Sequence, residues 1–160
     1  MSLPPNLGFL LKDAARRFVL RFEQHARELS LTLPQCRTLV RLEANPGVSQ
    51  AKLAELVDVD AMTMVRILDY MEADGLLERR VDPTDRRVRC IYLTRKAKPV
   101  LEKIWHLSNI TRNEAFSGVR REDRELFIEV LERVHANLAE PDGKGLDART
   151  PDRASSGTGS

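Results

Sequence analysis

The chain is short of the residues that would tie it to redox, metal or membrane chemistry. It holds two cysteines, Cys36 and Cys90, among 160 residues. They form no Cys-x-x-Cys or Cys/His arrangement, so neither a structural disulfide nor a zinc site is expected. Three histidines, His25, His106 and His135, stand apart. None has a second histidine or a cysteine three or four residues away, the spacing that puts two such donors on one helix face, and no metal or other cofactor is expected. No apolar run approaches the roughly 20 residues that span a bilayer. The start of the chain lacks the basic, then apolar, then small-residue pattern of a secretory signal, so the expected location is the cytoplasm. Nor is there a phosphate-cradling glycine loop, a carboxylate pair or a nucleophile beside a base in recognisable order. No catalytic function is expected.

An excess of one charge also fails to appear. Charged residues are 31% of the chain, yet 26 basic and 24 acidic side chains nearly cancel to +2. The total is weak support for a polyanionic partner, so the placement of the charges must decide. With 42% apolar residues, the chain can bury one real core, and one compact domain with tails is the expectation.

What is present is helical periodicity. From Gly8 to about Ser30, Leu11, Ala14, Ala15, Phe18, Phe22 and Leu29 recur at helix spacing with arginines between them. Thr32 with Gln35 three residues on suits a capping box, opening a second helix that runs to Asn45-Pro46-Gly47. Ser49 is placed to cap a short third helix and Asp60 a fourth. Gly75 marks the end of that fourth helix. Two strands follow, Leu77 to Val81 and Val88 to Leu93, around the turn-forming Asp82-Pro83-Thr84-Asp85. Thr94 is expected to cap a fifth helix, Gly118 to mark a joint, and Phe127, Val130, Leu131, Val134 and Leu138 to stripe a sixth. Beyond Pro141 almost no large apolar side chain remains, so residues 141–160 are expected to be a disordered tail. The fold class is therefore mainly α with a small β-hairpin, in the order α-α-α-α-β-β-α-α.

The third and fourth helices have the spacing of a helix-turn-helix, whose second helix enters the major groove and presents its early residues to base edges. Ala61, Met62, Thr63 and Arg66 are the outward candidates, whereas Val65, Leu68 and Met71 are expected in the core. Alone, the pattern suits an exposed face of a helical bundle as well as a DNA reader. The hairpin tips the balance: Arg79, Arg80, Arg86, Arg87, Arg89, Arg95, Lys96 and Lys98 crowd around it, opposed locally by Glu78, Asp82 and Asp85. Such a finger can follow the phosphate backbone and insert an arginine into the narrow minor groove. Arg37 and Gln50 are further candidates for phosphate contacts.

Glu72-Ala73-Asp74-Gly75-Leu76, Asp82-Pro83-Thr84-Asp85-Arg86-Arg87 and Leu93-Thr94 together resemble the MarR family of transcription regulators, and look closest to its SlyA-type members. The resemblance runs from the first helix to about Glu140. It implies a winged helix-turn-helix domain at 32–94, flanked by a helical dimerisation region at 1–31 and 95–140. A homodimer would then present two lobes to a near-palindromic double-stranded DNA operator, associated with the nucleoid when bound. It also implies that Asp85 braces Arg87 while that arginine enters the minor groove, with Arg86 at a phosphate or the groove edge.

Many relatives bind a small aromatic carboxylate between the dimerisation helices and the lobe. Here Arg16, Arg17 or Arg21 would meet the carboxylate, with Phe18, Phe22, Cys36 and Trp105 as walls. Relatives that sense peroxides carry a cysteine near the start of the first helix, whereas this chain has none before Cys36. The competing reading is a winged helix that binds protein, its basic wing serving only solubility.

Overall fold

The computed structural model describes residues 6–139, so the tail expected at 141–160 lies outside the described residues. The elements are α1 (Leu7–His25), a 3₁₀ turn (Ala26–Leu29), α2 (Leu33–Ala44), β1 (Val48–Ser49), α3 (Gln50–Val57), α4 (Ala61–Ala73), β2 (Leu77–Val81), β3 (Arg89–Leu93), α5 (Ala97–Ala115) and α6 (Arg121–Ala139). The described residues divide into two compact units between Ser117 and Gly118.

Local chemistry sets the starts of α2, α3 and α4. Thr32 Oγ1 accepts from Gln35 N at 3.4 Å while Gln35 Oε1 accepts from Thr32 N at 2.8 Å, closing the capping box that opens α2. Ser49 Oγ accepts from Lys52 N at 3.2 Å, and Asp60 Oδ1 accepts from Thr63 N at 2.8 Å, each satisfying an amide that the following helix leaves orphaned. Gly75 takes φ +73°, the left-handed conformation that turns the chain out of α4 and into β2.

Three expectations fail. The sheet has three strands in the order β1-β3-β2, all antiparallel, with Val48 opposite Ile91 and Arg79 opposite Ile91 on its other side. The third strand, β1, is two residues long, too short to show alternation in a sequence. Gly47 enters it at φ +77°, a left-handed conformation that strains any other residue, and a Cβ there would also have to push aside the Tyr92 hydroxyl, 2.7 Å away. Thr94 does not cap α5: its hydroxyl donates to the Gly75 carbonyl, and α5 starts at Ala97 without a side-chain cap. The carbonyl exposed by the exit from α4 claims the hydroxyl first. Finally, Val65 faces solvent, and Met64, Ile67, Leu68 and Met71 are the buried residues of α4.

The core of the first unit joins α2, α3, α4, the sheet and α5. Leu39, Leu53, Met64, Leu68, Met71 and Ile91 are almost wholly enclosed, and Leu101 and Ile104 extend the cluster onto α5. α1 buries no residue completely, with Phe22 its main contribution to the core. In the second unit α6 likewise buries none, and Phe127, Val130, Leu131 and Leu138 are exposed along it.

Candidate nucleic-acid interface

α3 and α4 are held at their turn by interlocking apolar side chains, Leu53 and Val57 from the first and Met64 and Leu68 from the second. That packing fixes which face of α4 is left outward. Ala61, Met62 and Arg66 lie on it, as the sequence predicts, and Val65 joins them. Thr63 is half-buried, and its hydroxyl donates to Asp60 Oδ2 at 2.6 Å. These bonds also hold the Asp60 carboxyl below its usual pKa, the Thr63 hydroxyl being the larger cause.

The wing is built around Asp82. Its Oδ1 accepts from Thr84 N at 2.7 Å, Thr84 Oγ1 at 2.6 Å and Asp85 N at 3.0 Å. The Thr84 hydroxyl and these amides pull its pKa down to about 2, because each bond favours the charged form. The turn closes with Asp82 N donating to Val88 O and Val88 N to Asp85 O, both at 3.0 Å. At the tip, Asp85 Oδ1 accepts from Arg87 N at 3.0 Å and from Arg87 Nε at 3.3 Å. The Arg87 side chain has no other partner among the described residues and is 91% exposed. Arg86 is exposed, and its carbonyl accepts from the Arg89 guanidinium at 3.0 Å.

Not every basic residue counted around the hairpin is available. Arg79 reaches back from β2 to α4, pairing with Asp69 and, at 3.4 Å, with Glu72 Oε2. Arg80 pairs with Glu78 through Nε at 2.9 Å and lies over the Tyr92 ring at 4.3 Å, a stacked cation. Lys96 Nζ donates to Asp74 O at 2.7 Å. The acids that take up Arg79 come from α4, not from the hairpin, so a count along the hairpin misses them. Arg79 is thus a residue that the sequence reading placed in the wrong role: it ties the helix-turn-helix to the wing strand.

The remaining candidates scatter. Arg37 is exposed on α2 and Gln50 half-buried at the start of α3. A cavity of about 530 Å³ opens between the C-terminal half of α1, the 3₁₀ turn and the start of α2, and of the effector-cleft candidates Phe22 and Cys36 line it. Arg16, Arg17, Phe18, Arg21 and Trp105 do not line it. Arg16 leans on Asp13 at 4.0 Å. Arg21 and His25 converge on Glu114 of α5 at 3.1 and 3.0 Å. Trp105 Nε1 donates to Glu43 Oε2 at 2.7 Å. Arg17 and Phe18 are exposed. The cation at the cavity is Arg27, which periodicity alone did not single out. Burial pushes the Cys36 thiol up to about 11, away from the thiolate form that reacts. The pKa of Cys90 is also raised, by desolvation first and then by its contact with Asp82.

Residues 31–88 match a family model described as the MarR family. Among solved structures, a MarR-family transcriptional regulator from Silicibacter pomeroyi is 26% identical, with 84% of this chain and 91% of that chain covered and a TM-score of 0.72. The transcriptional regulator PA3341 is 30% identical, with 82% and 96% covered and a TM-score of 0.72. The transcriptional repressor CouR, solved bound to a 23-mer DNA duplex, is 27% identical, with 84% and 99% covered and a TM-score of 0.71.

Proposed function

The chain belongs to the MarR family of transcriptional regulators, and from that premise we propose that it is a sequence-specific regulator that binds double-stranded DNA. The observation that carries this reading is the wing tip. Arg87 projects almost fully exposed while Asp85 fixes its backbone and guanidinium, the arrangement that offers a pre-oriented cation to a narrow groove. The 23-mer duplex held by CouR supports the same partner for a chain of this fold. On this reading Ala61, Met62, Thr63 and Arg66 face the major groove, Asp85, Arg86 and Arg87 the minor groove, and Arg37 and Gln50 the phosphates. Of the four on α4, Thr63 contributes chiefly as part of the cap.

The regulator acts as a homodimer on a near-palindromic operator. Support comes from the apolar side chains left outward on α1, such as Phe9 and Leu10, and on α6, faces that a second copy would remove from water. The dimerisation region is 1–31 with 95–140, and 32–94 is the DNA-binding part. Within the family, the Asp82–Arg87 wing and the Leu93-Thr94 strand end favour the SlyA-type members. The effector is a small aromatic carboxylate seated in the cavity of Phe22 and Cys36, with Arg27 as the cation at hand. No described helix is long and apolar enough to cross a membrane, and a DNA partner puts the working protein in the cytoplasm, at the nucleoid.

Selection of bound duplexes from a random library tests this, followed by affinity for the winner against salt and against salicylate-like acids. An enriched inverted repeat, bound two protomers to a duplex and weakened by the acid, is the expected result. Absence of any enriched sequence would reject it in favour of a winged helix that binds protein.

A further inference from the structure

The outward face of α4 is poor in groups that can exchange hydrogen bonds with a base. Met62, Val65, Arg66 and Asp69 share it, at the spacing of one helical stripe. Met62 is 69% exposed and Val65 37% exposed. The hydroxyl of Thr63 is committed to Asp60, and the carboxylate of Asp69 to Arg79. Arg66 is exposed and has no ion pair or hydrogen bond among the described residues. Tyr70 is exposed too, but it stands in the third turn, and a recognition helix reaches base edges with its N-terminal residues.

The four bases demand different partners in the major groove. Adenine is matched by the paired donor and acceptor of Asn or Gln, cytosine by a carboxylate acceptor, guanine by Arg or Lys, and thymine by apolar contact with its 5-methyl group. The first two turns of α4 hold no Asn or Gln, and the one carboxylate on the outward stripe is taken.

We propose that Met62 and Val65 read thymine 5-methyl groups and Arg66 reads a guanine, so that direct readout by α4 is confined to those two bases. This assignment rests on the DNA-binding reading above and deepens it. The operator half-site facing α4 then contains thymine and guanine within one short run, and the methyl groups carry part of the discrimination.

The test begins from the duplex that selection enriches. Each thymine of the half-site is replaced in turn by deoxyuridine, which removes the 5-methyl group and keeps the pairing edge. One to three positions should each lose about fourfold in affinity, as expected for withdrawing one methyl-sized group from an apolar contact. In the Met62→Ala, Val65→Ala double variant the same replacements should have no effect. Both side chains lie outside the core and alanine suits a helix, so the variant should melt as the parent does.

Uracil tolerated at every position in the parent would overturn the proposal, and so would an equal loss in parent and double variant. Failure to enrich any duplex is a separate outcome, reached before any base is replaced. It would remove the DNA-binding reading and this assignment together.

Discussion

Replacing Asp85 by alanine sets two effects of opposite sign against each other. The change deletes a negative charge beside a polyanion, and a carboxylate roughly 8 Å from a phosphate in water repels it by about 0.5 kcal/mol. Charge alone therefore predicts about twofold tighter binding. The same change removes the acceptor of both Arg87 N and Arg87 Nε. Among the described residues nothing else holds the Arg87 side chain, which is 91% exposed. Binding must then order a loosened backbone residue and a long side chain. If half of that freedom is regained, the penalty is about 1.5 kcal/mol per wing. The bracing effect wins by about 1 kcal/mol, or about fivefold weaker binding per wing. Fluorescence anisotropy on the selected operator at ~0.15 M salt reads the difference directly. Asp85→Asn keeps an acceptor for the Arg87 amide and should stay within about twofold of the parent. Tighter binding by Asp85→Ala would refute the bracing argument and leave Arg87 as an untethered surface charge.

Arg79→Met should lower operator affinity by more than its effect on melting implies, because it releases Asp69 onto the reading face. Its ion-pair partners are substantially exposed, so the fold should lose only about 1 kcal/mol, and equal losses for Arg80→Met, whose partners are Glu78 and the Tyr92 ring, would count against the clamp. The depressed pKa of Asp82, about 2 against an ordinary 3.8, means that its contribution to stability is complete above pH 3.8 and disappears as pH falls toward 2. Thermal melts of the parent and Asp82→Ala should thus converge as pH is lowered from 5 to about 2, and a constant gap would reject the assignment. With its thiol near 11, Cys36 is about one part in a thousand thiolate at pH 8. Ellman's reagent should reach it only after denaturant is added, and rapid titration in the folded protein would show that the site is open.

The parts of the fold legible in the sequence are those fixed within one helical turn. Thr32 with Gln35, Ser49 with Lys52 and Asp60 with Thr63 are each three residues apart, so residue type and spacing suffice to place α2, α3 and α4. What sequence could not supply depends on partners far along the chain. β1 exists because Val48 meets Ile91. Thr94 leaves its expected cap because Gly75, nineteen residues earlier, offers a carbonyl.

The phase of α4 was similarly undecidable from local pattern. Val65, Leu68 and Met71 satisfy a helical spacing as well as Met64, Ile67, Leu68 and Met71 do, and only the packing against Leu53 and Val57 chooses between them. On the wing, the structure joins Arg87 to Asp85, the pair that the family resemblance implied, and adds Asp82 beneath Asp85. The arginines of α1 are different. Which way they face depends on α5, where Glu114 draws Arg21 and His25 away from the cavity.

α4 is held at three places: Asp60 at its start, Arg79 along its length and Gly75 at its exit. Beneath it the core side chains have almost no exposed surface, and such packing resists gradual deformation. A ligand in the cavity of Phe22 and Cys36 touches none of these restraints, since its walls belong to α1, the 3₁₀ turn and the start of α2. Filling that space acts on the joint between α1 and α2. It follows that an effector there would change affinity by shifting the helix-turn-helix and wing as one body, leaving base preference intact, whereas loss of Arg79 would alter preference itself. Repeating the duplex selection with the effector present separates the two: the same sequence should be enriched more weakly, and a different winning sequence would show that the reading helix deforms after all.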